Sequence, residues 1–512
     1  MLNRLRSAAH GREDTLAIGS EAGTATFGQL LATADAITRF LAPHTLVLLA
    51  MPGGPTYTAI EYGGFAAGAV VAPIPDKSTA RETRAFLAVV RPDVVFVSSL
   101  AAQHGVLDAL GGPGELDDLD EPVTIVVAEG PTGRHGAHRV VALAEVLAGS
   151  AGRPRAAADH QVPAQARMIQ FTSGSTSTPK GIVLSAANLL ANLDQNAAHL
   201  TTFCGRAVFC PVPQFHAMGG AVVFEHLAFG SPVLVANRFV PGDDLANLQK
   251  HHCVGILASP NYFKLTLKLG MLDPKRLPDL AMFTIGTAAI DPGLISDLRS
   301  RFPDARIHCR YGLSEALGAM TRLDLEPGRQ LDDPGMVGPL VPGLEFAPGM
   351  MPPGEGEPAE IKVRGGTVAI GRLAARGHYE PLSDADGYLA TGDLGHLDAK
   401  GRLHLRGRIS TFLKSNGHRI NPFEIEALLR EVAGVHDAVV VGTPDPLAGQ
   451  RIVACIEATP GHLAPTHEEL LTACLGQLAA YKIPTRFVIV DQLPRTPAGK
   501  PDRTRIQEET AR

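Results

Sequence analysis

Eight short apolar runs recur through the first part of the chain: Thr45 to Ala50, Val70 to Ile74, Val94 to Val97, Thr124 to Val127, Ala207 to Cys210, Pro232 to Val235, Gly255 to Leu257 and Met282 to Ile285. Runs this short, punctuated by glycine and proline and separated by longer mixed stretches, read as buried strands joined by crossover helices. That pattern predicts an α/β architecture with mixed or parallel sheets flanked by helices. Sites on such sheets lie in the loops at strand ends. The 512 residues would fill roughly three average domains, although large α/β domains absorb more than that. Ala128 to Arg167, rich in Ala, Gly, Pro and Arg, reads as a surface excursion with a short helix at Ala142 to Leu147.

The pattern changes near the C-terminus. Leu397 precedes, and Leu403 and Leu405 follow, a polar Asp-Ala-Lys-Gly turn, so Leu394 to Arg408 reads as a hairpin. The stretch NPFEIEALLREV opens a helix at Pro422 and puts Ile425, Leu428 and Leu429 on one face. Ala438 to Val441 and Ile452 to Ile456 read as strands, and His467 to Ala480 as a helix. A small α+β unit of about a hundred residues can fold by itself, so we place a boundary near Arg408 to Ser410 and expect domains 1–408 and 409–512. Nothing in the sequence shows an internal repeat.

Charge and cysteine usage narrow the function. A net charge of -6 gives no cationic stripe for nucleic acid. No apolar run is long enough to span a bilayer, and MLNRLRSAAHGRED lacks the apolar core of a secretory signal, so the expected location is cytoplasmic and no membrane partner is expected. Cys204, Cys210, Cys253, Cys309, Cys455 and Cys474 form no C-x-x-C pair, which argues against a disulfide framework or a zinc knuckle. Small molecules are the favoured partners. Abundant Ala, Gly, Pro and Arg without Trp suggests a GC-rich bacterial genome.

The stretch FTSGSTSTPKG, Phe171 to Gly181, gathers hydroxyls, glycines and a lysine, a composition suited to phosphate. It is not a P-loop, because Lys180 stands between Pro179 and Gly181. Alone it reads equally well as a flexible linker. Four further stretches decide: YGLSEA (Tyr311 to Ala316), ATGDLG (Ala390 to Gly395), GRISTFLKSNGHRINPFEIE (Gly407 to Glu426) and LPRTPAGKPDR (Leu493 to Arg503). In this order and spacing the five resemble the adenylate-forming superfamily of acyl-CoA and aryl-CoA synthetases, peptide-synthetase adenylation domains and luciferases. The likeness runs from AAGAVVAPIP, at Ala66 to Pro75, through Lys500.

That resemblance implies a large N-terminal domain and a small C-terminal domain that rotates about a hinge, with ATP, Mg²⁺ and either CoA or a carrier-protein phosphopantetheine as cofactors. Thr172, Ser173, Gly174, Ser175, Thr176 and Lys180 would wrap the β- and γ-phosphates. Asp393 would take both ribose hydroxyls, helped by Arg408; alone it reads as a turn residue after Gly392. Tyr311 would stack on adenine beside Gly286, Thr287, Ala288 and Gly312, though a lone tyrosine is as well placed in a core. Ser314 would lie near the α-phosphate and Glu315 would hold Mg²⁺, where the plain reading of Glu315 is a solvated acid at a helix start. Lys500, by itself a surface lysine, would carry positive charge to the α-phosphate and the substrate carboxylate. Gly417 and Ser415 would line the thiol channel. Ser410 stands where the family's hinge usually has Asp or Lys, and SAAN, at Ser185 to Asn188, lacks a histidine often found before the asparagine.

The acid is addressed by PVPQFHAMGG, Pro211 to Gly220. Enzymes of the family that activate α-amino acids usually carry aspartate after the phenylalanine, since a buried ammonium needs a carboxylate. Here His216 follows Phe215, which implies a small-molecule carboxylic acid without an α-amino group; a core histidine is the plainer reading. Gly219, Gly286, Ala288, Ala289, Tyr311 and Gly312 would complete the pocket. Glu225 and Asp291 are the nearest sequence candidates for an ammonium partner, and neither sits at a matching motif position. The acceptor would be CoA, or else a carrier protein or an amine, in a monomer or homodimer. A non-catalytic nucleotide-binding homologue is the alternative of another class, disfavoured because Glu315, Asp393, Arg408 and Lys500 are all present.

Overall fold

The computed structural model describes every residue except 99–107, 110–121, 131, 136–137, 155–161, 173–178, 332, 334, 350–357, 375–376, 410–412, 416–417, 446–447, 476, 479, 497–500 and 512. The chain divides into two compact units, Met1–Pro348 with Lys362–Ala390, and Gly349–Ile361 with Thr391–Arg512.

In the larger unit the apolar runs are strands. Leu46–Ala50, Val70–Pro73, Val94–Val97 and Thr124–Val127 pair in parallel and are buried throughout, as strands covered on both faces must be. The same sheet continues through Ala166–Thr172, parallel to Val70–Pro73, and then through the antiparallel Lys180–Ser185. A second sheet stacks Val233–Val235, Val208–Cys210, Gly255–Ala258, Met282–Ile285 and Arg306–Gly312 in parallel, with Ala319–Leu325 antiparallel on the last. Among the described residues the first sheet has ten strands and the second eight. The short helix expected at Ala142 to Leu147 is present as Leu143–Ala148.

Two buried helices pack against each other in the core shared by these sheets. Pro55–Ala67 opens on proline and buries nine consecutive residues from Tyr57 to Phe65. Ala217–Ala228 buries every residue from Gly219 onward. A helix apolar all round belongs inside a protein. They meet at Phe224, whose ring lies 5.6 Å from Tyr62 and 5.5 Å from Phe65.

The strand Leu389–Leu397, most of which belongs to the smaller unit, forms the expected hairpin with Leu403–Arg408, with Leu397 opposite Leu403 and Asp393 opposite Arg408. Its turn is fixed by Asp398, which accepts from the N–H groups of Lys400 and Arg402, both at 2.9 Å. The helix Pro422–Arg430 starts where expected, and Val435–Asp445 pairs antiparallel with Gly449–Ala458. The expected helix His467 to Ala480 is a correction: it ends at Cys474, and a separate 3-10 turn covers Ala480–Lys482. Leu470 and Cys474 are buried, but Leu475 is 57% exposed and extended, so the apolar stripe that holds the helix against the sheet has run out.

Candidate active site

In the larger unit the phosphate-loop stretch is the connection of an antiparallel strand pair. Thr172 ends one strand and Lys180, exposed, opens the next directly opposite. Ser173, Gly174, Ser175 and Thr176 lie outside the described residues. The base is firm: Phe171 packs on Phe86 at 4.6 Å. The departure SAAN has a local role, because Ser185 and Asn188 form a capping box for the helix Ala186–Leu200. Asn188 also donates to the carbonyls of Gly366 and Val368, at 2.7 and 2.8 Å.

His216 caps the helix Ala217–Ala228, its backbone N–H donating to Pro213 O at 3.0 Å and its ring 4.3 Å from that of Phe215. Gly219 is required there, since a Cβ would stand 2.3 Å from the Pro213 carbonyl oxygen. Gly286 closes the strand Met282–Ile285 beside this helix, where a Cβ would lie 3.7 Å from Met218 Sδ and 3.3 Å from Arg310 O. Thr287, Ala288 and Ala289 are exposed, and Thr287 has φ +72°, strained for a β-branched residue. Tyr311 and Gly312 end the strand Arg306–Gly312 at a register shift, and a Cβ on Gly312 would fall 1.8 Å from Gly318 O. Ser314 and Glu315 follow in a single 3-10 turn, where Glu315 O accepts from Ala369 N at 2.8 Å. The helix Ala217–Ala228, the Gly286 turn and the strand leading to Tyr311 are therefore in contact.

Both carboxylates that could have served an ammonium are committed elsewhere. Glu225, fully buried, pairs with Arg310 Nη1 at 3.1 Å and accepts from Asn192 and Asn196 at 3.1 and 3.2 Å. Asp291 caps the helix Pro292–Arg301 and pairs with Lys264 at 3.0 Å.

In the smaller unit Asp393 is 6% exposed and its Oδ1 lies 2.6 Å from Arg408 Nε. The Thr391 hydroxyl accepts from Asp393 N at 3.1 Å and donates to Ile361 O at 2.8 Å, which fixes the Thr-Gly-Asp turn. Ser415 is buried, opposite His418 and Gly449. Gly417, Ser410 and Lys500 lie outside the described residues, but the residues flanking Lys500 are held. Arg495 bonds Asp437 at 2.9 Å and Glu457 at 3.2 Å, and Arg503 bonds both oxygens of the buried Glu426, at 2.6 and 2.8 Å. Sequence reading missed these anchors, although Arg495, Arg503 and Glu426 all lie inside the quoted motifs.

Among the described residues no three His, Cys, Asp or Glu side chains converge as a metal site, and no helix is long and apolar enough to cross a membrane. The partly exposed carboxyl of Glu315 fits the one-carboxylate role that magnesium bound to phosphate requires.

The AMP-binding enzyme family model matches residues 5–372, and the AMP-binding enzyme C-terminal domain matches residues 424–500. The oxalate–CoA ligase of Saccharomyces cerevisiae is 30% identical over 352 residues, 67% of this chain and 63% of that protein, so the match spans less than two thirds of that relative. The sulfoacetate–CoA ligase of Cupriavidus necator is 28% identical over 494 residues, 94% of this chain and 92% of that protein. ATP-bound MatB from Rhodopseudomonas palustris superposes with a TM-score of 0.81 at 22% identity, covering 100% of this chain and 99% of its own, which establishes the fold.

Proposed function

The chain belongs to the AMP-binding enzyme family, and from that membership we propose that it is an AMP-forming ligase joining a carboxylic acid without an α-amino group to a thiol. A carboxylate oxygen attacks the α-phosphorus of ATP, the bond from that phosphorus to the bridging oxygen breaks, and pyrophosphate leaves. The thiol sulfur then attacks the acyl carbonyl, AMP departs, and the thiol proton passes to solvent. CoA is the preferred acceptor because both relatives named above are CoA ligases. A carrier-protein phosphopantetheine or an amine would react by the same attack.

The observation that carries this reading is the Asp393–Arg408 pair at the braced Thr-Gly-Asp turn. A carboxylate offers two acceptor oxygens, so Asp393 would accept two neighbouring ribose hydroxyls while Arg408 holds its angle. Lys500 would meet the charge that builds on the α-phosphate during attack. Glu315 would hold magnesium, which supplies neutralisation of phosphate charge. His216 supports the choice of acid, since Glu225 and Asp291 are already paired and leave an ammonium without either partner.

The test is pyrophosphate release across matched pairs of α-amino acids and their desamino counterparts, with and without CoA, followed by mass spectrometry of the products. The desamino acids should react with the higher kcat/KM and give thioesters. A preference for the amino acids would overturn the reading of His216, and ATP binding without pyrophosphate release would mark a non-catalytic homologue.

A further inference from the structure

Where the ends of the strands Leu46–Ala50 and Val233–Val235 approach, a polar patch links the two sheets of the larger unit, and it meets the segment read above as the acid side of the site. Gln214, 1% exposed, accepts from Gly54 N at 3.1 Å and donates to Thr58 Oγ1 at 2.8 Å and Glu61 Oε2 at 3.1 Å. Gly53, beside it, exchanges two hydrogen bonds with Asn237, at 2.7 and 3.0 Å. Gly53 and Gly54 follow a strand of one sheet, and Asn237 follows a strand of the other. The carbonyl of the next residue, Phe215, accepts from the side-chain amide of Gln170, which lies two residues before Thr172 on the strand entering the phosphate loop. His216 then caps its helix. Residues 214, 215 and 216 are thus fixed in turn by the helix Pro55–Ala67, by the phosphate-loop strand and by the helix Ala217–Ala228.

We propose that Gln214 is a positioning residue for acid activation, holding His216 in place against the strand Ala166–Thr172, with Glu61 acting as its hydrogen-bond partner and Gln170 as the link to the nucleotide side. The proposal rests on the reading of 211–220 as the acid-binding segment. Hydrogen bonds suit the task because they are directional, whereas apolar packing at these positions would fill the volume without fixing the backbone's angle. Glu61 is fully buried, and burial drives its carboxyl well above the ordinary carboxylate range, with only the Gln214 hydrogen bond opposing. The neighbouring Tyr57 and Tyr62 hydroxyls bring no positive charge, and Asp76 is acidic. An uncharged carboxyl has the shape and the acceptor of an amide, so glutamine should replace it and leucine should not.

The experiment uses the full chain and compares Gln214→Leu, Gln170→Met, Glu61→Gln and Glu61→Leu with the parent protein. It measures acid KM and kcat by pyrophosphate release, ATP affinity by calorimetry, and amide exchange over residues 211–220. Gln214→Leu and Glu61→Leu should raise the acid KM about tenfold or more, with ATP affinity within about twofold, since a displaced 214–216 segment loses contacts to the acid and leaves the remote nucleotide contacts in place. Exchange in 211–220 should quicken in both. Glu61→Gln should restore the parent's acid KM. Gln170→Met, which removes only the bond to Phe215, should move the acid KM the same way and keeps the test open if Gln214→Leu does not fold. An unchanged acid KM in a folded Gln214→Leu, or equal damage from Glu61→Gln and Glu61→Leu, overturns the proposal. If the parent protein releases pyrophosphate with no acid, the functional reading fails separately, and the exchange rates alone then decide: no quickening in 211–220 overturns the positioning role.

Discussion

Asp393 shows how one residue's meaning depends on its neighbours. After Gly392 it could simply be a turn aspartate, yet it is buried, paired with Arg408 and braced by Thr391. Asp393→Ala should therefore weaken ATP binding by about 2 to 4 kcal/mol, the worth of two charge-assisted hydrogen bonds; calorimetry reads it, and an unchanged affinity would reduce the segment to a turn. Lys500→Ala should behave in the opposite way. Its charge is needed as the α-phosphate is attacked, so adenylate formation should largely disappear while ATP affinity holds. Full adenylation by that variant would remove Lys500 from the mechanism.

At the scale of elements, the buried pair Glu225–Arg310 ties the helix Ala217–Ala228 to the strand that ends at Tyr311, while Asn192 and Asn196 bring in the helix that follows Lys180–Ser185. Three motif-bearing elements thus share one carboxylate. Glu225→Ala should cost about 3 to 5 kcal/mol in chemical denaturation, because Arg310 is left charged and buried without its counterion; a loss below about 1 kcal/mol would mean that the pair is solvated. None of this could be read from the chain, since Glu225 and Arg310 stand far apart in sequence and their pairing depends on two sheets having formed. The strands were readable for the opposite reason. Val94–Val97 and Thr124–Val127 are apolar on both faces, and no other element suits a run so short and so completely buried. Residues such as Asp393 and Tyr311 could be singled out as candidates because they lie in contiguous motifs. Their braces, Arg495 on Asp437 and Arg503 on Glu426, were not, because the partners meet only through the fold.

For the molecule as a whole, the buried histidines of the larger unit set a limit on acid stability. Burial lowers His199 from 6.5 to about 2 and His226 from 6.5 to about 3, and lowers His308 as well. Both ring nitrogens of His226 lack a hydrogen-bond partner among the described residues. The folded protein therefore keeps the His199 and His226 rings neutral while the unfolded chain protonates below about 6.5. Stability should be fully present above that pH and fall as pH drops toward the folded values, by up to about 1.4 kcal/mol per pH unit for each histidine. Melting temperatures between pH 7 and pH 4.5 check this, and a flat profile would mean that the rings are protonated or solvated in the fold. Activation of a carboxylic acid through an adenylate is tested most directly by following a heavy-oxygen label from the substrate carboxylate during a turnover with CoA. Attack of that carboxylate on the α-phosphorus predicts AMP carrying one labelled oxygen, with none in pyrophosphate; label in inorganic phosphate alongside ADP, or unlabelled AMP beside a formed thioester, would contradict it.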